Sequence, residues 1–173
     1  MFIGRIEEIK GLSLLIEAFE KMPEKKLYVV GTGADYEKYV TEVKQRLISN
    51  IIFTGFLERD GINRLLSGTK AVIVSSQWYE TFGMIIAESF ASHVPVITGD
   101  IGNIGGLVID GVTGTKFQYN SAEELKKAIQ RFETMPYNEL KENAFKEYDL
   151  KFSPEVNYKQ IIAIYNQVSK QEN

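Results

Sequence analysis

Six short apolar runs alternate along the chain with segments of helical periodicity, and this alternation restricts the possible folds more than any other feature. Leu12, Leu15, Ile16 and Phe19 recur at intervals of three and four, the spacing of an amphipathic helix, and Lys26 to Val30 then reads as a β-branched strand. Tyr36, Tyr39, Val40, Val43 and Leu47 repeat the helical spacing ahead of the strand Ile51 to Phe53, which ends at Gly55. A short helix around Ile62 to Leu66, a strand Ala71 to Val74, a helix Phe82 to His93 and a strand Val94 to Thr98 extend the series. The opening segment, Met1 to Arg5, reads as the end of a strand with no cap, loop or leader before it, and so predicts a fragment of a longer chain. Strands that are apolar throughout are buried on both faces, which predicts a mostly parallel sheet covered by helices on either side. The expected fold class is therefore α/β, one doubly wound, Rossmann-like domain over residues 1–173. Asp110-Gly111 and Thr113-Gly114 mark turns before a last strand at Thr115 to Phe117, Ser121 and Glu124 form a capping box, and Ser153-Pro154 opens a final helix carrying Val156, Tyr158, Ile161, Ile162 and Tyr165.

Composition removes several functions. A net charge of -3 with scattered basic residues leaves no electrostatic footprint for nucleic acid. The absence of cysteine excludes disulfides, thiolate metal sites and cysteine nucleophiles, and a single histidine excludes a histidine-rich metal centre. No apolar run is long enough to span a bilayer, and the start lacks the charged and apolar regions of a signal peptide, so the expected compartment is the cytoplasm.

In a doubly wound sheet ligands bind beyond the carboxyl ends of the strands, so the loops there are the places to search. Gly4-Arg5 with Lys10-Gly11 sets two cations beside a helix start, suited to a diphosphate, although each reads equally as a solvated surface charge. Gly31-Thr32-Gly33 resembles the opening of a dinucleotide fingerprint, but Tyr36 stands where that fingerprint requires Gly or Ala, and no P-loop motif exists. Gly55-Phe56-Leu57 offers backbone groups and an apolar wall to a flat base. The fourth loop, Ser75 to Gly83, is the richest. Gly83 admits close backbone approach, the amides at the helix start are free to bind anions, and Glu80 can accept from hydroxyl groups. Alone, Glu80 reads as a carboxylate complementing the helix dipole. Glu88 follows on a helix that is apolar nearly all round, so burial would oblige it to find a partner such as a ribose diol; an ion pair or a partly exposed face are the other readings.

These residues resemble those of the retaining glycosyltransferases of family 4, which have the GT-B fold of two facing Rossmann-like domains. The likeness is to the C-terminal, donor-binding domain and runs from residue 3 to about residue 130. It rests on two glutamates separated by seven residues, Glu80-Thr-Phe-Gly-Met-Ile-Ile-Ala-Glu88, with Gly4-Arg5, Lys10-Gly11, Phe53-Thr-Gly55-Phe and Ser76-Gln-Trp-Tyr in matching order. The resemblance implies one domain of a GT-B fold with C-terminal helices, acting on a nucleotide diphosphate sugar as the donor in polysaccharide or glycolipid synthesis. It implies that Arg5 and Lys10 contact the diphosphate and that Glu88 holds the ribose hydroxyls. Glu80, the catalytic residue in this reading, and the segment Thr81, Phe82, Gly83 and Met84 hold the transferred sugar and nearby phosphate oxygens, with Leu57 also at the donor. It implies attack from the face that the diphosphate leaves, with no protein nucleophile, no metal and no cofactor. The N-terminal domain that binds the acceptor in the family is expected outside this sequence, without which transfer is expected to fail, and the resemblance leaves room for a peripheral membrane association of the full-length protein. Departures occur at Ser75-Ser76, where the family often has Pro-Ser, at Ser92-His93, where it has a small residue and Gly, and at Gly105-Gly106, where many members have Pro-Glu.

Overall fold

The computed structural model describes residues 1–171, with strands β1 (Phe2–Ile3), β2 (Leu27–Val30), β3 (Ile51–Gly55), β4 (Val72–Val74), β5 (Val96–Gly99) and β6 (Gly114–Phe117). Helices α1 (Leu12–Glu20), α2 (Tyr36–Gln45), α3 (Arg59–Ser67), α4 (Met84–Ala91), α5 (Gly102–Leu107), α6 (Ala122–Glu133), α7 (Tyr137–Lys151) and α8 (Pro154–Gln171) fill the intervals and the C-terminal end. All strand pairs are parallel, in two ladders ordered β1-β2-β3 and β4-β5-β6. The ladders meet where the Met1 amino group donates to the Ala71 carbonyl (2.8 Å) and the Ile73 N–H donates to the Met1 carbonyl (2.8 Å). Across this junction the order is β3-β2-β1-β4-β5-β6, and the winding reverses between β1 and β4. That reversal opens a crevice at the carboxyl ends of the two strands, flanked by the loops that follow them.

Burial on both sides explains the uniformly apolar strands. Ile73 and Ile97 pack with Leu12, Leu15, Tyr39 and Leu125 on one face, while Val72, Val74 and Val96 pack with Leu66, Ile86, Phe90 and Ile104 on the other. Successive strand residues thus feed opposite cores, as the two-residue period of a strand dictates. Ser121 Oγ accepts from the Glu124 N–H (3.2 Å), as the capping box predicts.

Three local readings change. Residues 102–106 form part of α5 rather than a loop. Their glycines lower helix propensity, but Gly105 lies where a Cβ would stand 2.7 Å from Asp100 Oδ1, Gly102 packs under the Tyr79 ring, and Ile104 is fully buried. Packing therefore overrides propensity here. Leu47 lies outside α2 and is 89% exposed, with φ of 56°. It occupies the left-handed stop usually given to glycine, with the Leu47 N–H donating to Lys44 and the Ile48 N–H to Val43. Helix α8 begins at Pro154 as its sequence suggests, yet Tyr158, Ile161, Ile162 and Tyr165 are exposed. Among the described residues, no helix is long and apolar enough to cross a membrane.

Asn50 is a buried polar residue that the apolar pattern does not reveal. Its Nδ2 lies 2.9, 3.0 and 2.8 Å from the carbonyls of Phe19, Met22 and Lys25, so it closes the turn between α1 and β2. Replacing it with alanine leaves those carbonyls short of a donor and is expected to cost about 2 kcal/mol. Urea denaturation checks this as a lower midpoint at unchanged slope.

Candidate functional site

The loop after β1 and the loop after β4 are fastened together at the crevice. Gln77 N–H donates to the Ile9 carbonyl (2.8 Å), and Ser75 Oγ donates to the Lys10 carbonyl (2.9 Å). Gly11, with φ of 70°, presses so closely on this loop that a Cβ would lie 2.0 Å from the Ser75 carbonyl oxygen. Only glycine meets both the left-handed backbone and the close approach. Ser75, one of the departures from the family pattern, thus has a local task that proline has no hydroxyl to perform.

This stitching brings Lys10 and Glu80 together. Lys10 Nζ donates to Glu80 Oε1 at 2.9 Å, the two side chains being 24% and 22% exposed, and the buried Ser76 hydroxyl donates to the same oxygen. Glu80 is therefore held by a cation and a hydroxyl, and is more than a carboxylate complementing a helix dipole. Arg5, by contrast, is 75% exposed and pairs with Glu7 at 3.0 Å. Both cations lie on the loop after β1, but only Lys10 is drawn into the network around Glu80.

Beyond Glu80 the chain enters α4 through Gly83, whose φ of 80° forms a left-handed N-cap. A Cβ there would stand 2.9 Å from Ile104 Cγ2, so α5 fixes how the helix begins. Asn103 Nδ2 donates to the Thr81 carbonyl (2.8 Å), and Phe82 meets Phe152 edge to face with ring centroids 5.9 Å apart. The helix starts at Met84, two residues later than its apolar pattern suggests. Of the first-turn amides, Ile86 N–H donates to the Gly83 carbonyl (2.9 Å) while those ahead of it have no acceptor within the helix, and the helix dipole favours negative charge at that end. Leu57, after β3, is half-buried against the second core, and Phe56 beside it is exposed.

Glu88 requires a correction. Helix α4 buries Ile86, Ala87, Ser89 and Phe90 but leaves Met84 and Glu88 exposed. Residues four apart share a face, and this one lies toward solvent. Glu88 is thus exposed, with no side-chain partner among the described residues, and burial gives no reason to assign it one. Gly11 and Ser76 enter the sequence only as parts of motifs, and neither they nor Asn103 carry a predicted role. A small polar residue just past a buried strand was the available signal for Ser76, while the roles of Gly11 and Asn103 depend on contacts distant in sequence. Among the described residues, no group of three or more His, Cys, Asp and Glu side chains is placed to hold a metal ion.

The family description "Glycosyl transferases group 1" matches residues 1–152. The chain belongs to this family. An uncharacterized glycosyltransferase of Methanocaldococcus jannaschii is 30% identical over 173 residues, covering 98% of this chain and 48% of its own length. A glycogen synthase of Mycobacterium tuberculosis is 28% identical over 135 residues, 75% of this chain and 32% of the relative. Anabaena HepE, solved in complex with UDP-glucose, superposes with a TM-score of 0.85 at 23% identity, covering 96% of this chain and 48% of HepE. The fold of this group 1 domain is that of the C-terminal domain of GT-B glycosyltransferases, and the chain spans about half the length of the first relative it matches.

Proposed function

We propose that this chain is the donor-binding half of a retaining glycosyltransferase, which moves a sugar from a nucleotide diphosphate sugar to an acceptor in polysaccharide or glycolipid synthesis. The observation that carries this reading is the pairing of Lys10 with Glu80 just ahead of the open amides of α4. A diphosphate needs a cation and donors. A sugar needs an acceptor for its hydroxyls. A module that binds a nucleotide alone has no use for Glu80 beside the amide cradle. HepE, whose fold this chain shares, was solved with UDP-glucose, and that compound is the first probe to try.

In this reading Lys10 and the amides of Phe82, Gly83 and Met84 face the diphosphate and the adjoining sugar, with Arg5 at the outer phosphate. Glu80 takes sugar hydroxyls, exposed Glu88 meets the ribose from the solvent side, and Leu57 borders the donor. Negative charge grows on the leaving diphosphate as the glycosidic bond breaks, so a nearby cation and oriented amides stabilise the transition state more than the ground state. The acceptor is bound by a further domain of a longer protein, and this chain alone transfers poorly or not at all.

Calorimetric titration with UDP, GDP and ADP, and with UDP-glucose, GDP-mannose and ADP-glucose, tests the proposal. One nucleotide sugar is expected to bind with Kd below about 1 mM and more tightly than its free diphosphate. A folded chain that binds none of the six at millimolar concentration overturns the reading.

A further inference from the structure

Glu80 Oε1 is occupied twice, by Lys10 Nζ at 2.9 Å and by the Ser76 hydroxyl, while among the described residues no donor reaches Oε2. Two donors on one oxygen fix the rotation of the carboxylate and leave the other oxygen free to accept. Ser76 suits this task because it is buried, with 3% of its surface exposed, and directly follows Ser75, which is bound to the Lys10 carbonyl. A buried hydroxyl is held by its surroundings, whereas the lysine is a flexible chain with three donors and can share its ammonium between Glu80 and an incoming phosphate.

We infer that Ser76 is a positioning residue for the donor sugar: it clamps Glu80 Oε1 so that Oε2 meets a sugar hydroxyl, and it holds the carboxylate in place when Lys10 turns toward the diphosphate. This rests on the donor-binding reading above. The clamp also divides the work between two neighbours, since Lys10 acts on the diphosphate and the carboxylate together and Ser76 acts on the carboxylate alone. Loss of Ser76 therefore falls on the sugar and spares the diphosphate.

The experiment compares wild type with Ser76→Ala and Ser76→Thr, using UDP and UDP-glucose, or the corresponding ADP or GDP pair if wild type prefers it. Ser76→Ala is expected to weaken the nucleotide sugar about tenfold, the worth of a hydrogen bond to a charged group, and to change the free diphosphate less than about twofold. Ser76→Thr, which keeps the hydroxyl, is expected to restore most of the loss. Equal weakening of both ligands, or no weakening of either, overturns the inference while leaving the donor-binding reading standing. Failure of wild type to prefer any nucleotide sugar to its diphosphate counts instead against the donor-binding reading. Crystal structures of ligand-free wild type and Ser76→Ala decide the clamp in that case, because a Glu80 carboxylate that keeps its rotamer without Ser76 overturns it.

Discussion

Lys10→Ala is expected to lower the affinity of this chain for UDP about a hundredfold while changing its affinity for uridine little. The side chain is three-quarters buried at the crevice and bonded to Glu80, which keeps its ammonium within reach of an incoming phosphate. A hydrogen bond to a charged group contributes about 1.5 to 3 kcal/mol, which spans roughly ten- to a hundredfold or slightly more. The upper part of that range applies because removing Lys10 also leaves Glu80 without its counter-charge near a dianionic ligand. Arg5→Ala is expected to cost much less, about threefold, because Arg5 is largely exposed and screened by solvent and Glu7. Calorimetry with UDP, and competition by uridine, measure both variants. Equal loss for UDP and uridine, or a larger loss from Arg5→Ala, contradicts the role given to Lys10.

The second large effect is on stability. In a 173-residue polypeptide prepared with a free α-amine, the Met1 amino group is fully buried at the junction of the two ladders, and desolvation lowers its pKa from 8.0 to about 5. The folded chain therefore holds this amine neutral at a pH where the unfolded chain protonates it. Between pH 5 and 8 the unfolded state binds more protons, so stability rises with pH across this window, is fully present above pH 8 and is lost as pH falls toward 5. The whole shift corresponds to about 4 kcal/mol, or on the order of 10 °C in Tm for a domain of this size. Acetylating the α-amine removes the titration and keeps an N–H to donate to the Ala71 carbonyl. Thermal unfolding of both forms from pH 6 to 8 isolates the amine, because His93 and the carboxylates are common to the two. A flat profile for the free amine, or an equal slope after acetylation, refutes this assignment.

The gradation between Lys10 and Arg5 shows how far the site was legible beforehand. Both cations stand in one short loop and have the same sequence credentials. Their difference arises because Ser75 and Gln77 reach across from another loop and draw Lys10, rather than Arg5, against Glu80. Glu88 shows the converse. Apolar neighbours in sequence suggested burial, but a helix whose flanking residues are apolar still leaves one face to solvent, and which face it leaves depends on how the helix sits on the sheet.

The sequence by itself determined the α/β class, the parallel strands, the family and the order of the site loops. Each of these follows from local periodicity, from turn and cap chemistry, or from motifs that lie close together in the chain. The tertiary structure alone decided which side chains meet. The Lys10–Glu80 pair joins residues seventy positions apart, Gly11 is required by a carbonyl on the next loop, and α5 forms despite its glycines because Tyr79 and Asp100 leave no room for a side chain at Gly102 and Gly105. Contacts of this kind depend on how strands of both ladders align in one sheet, and no local pattern encodes that alignment.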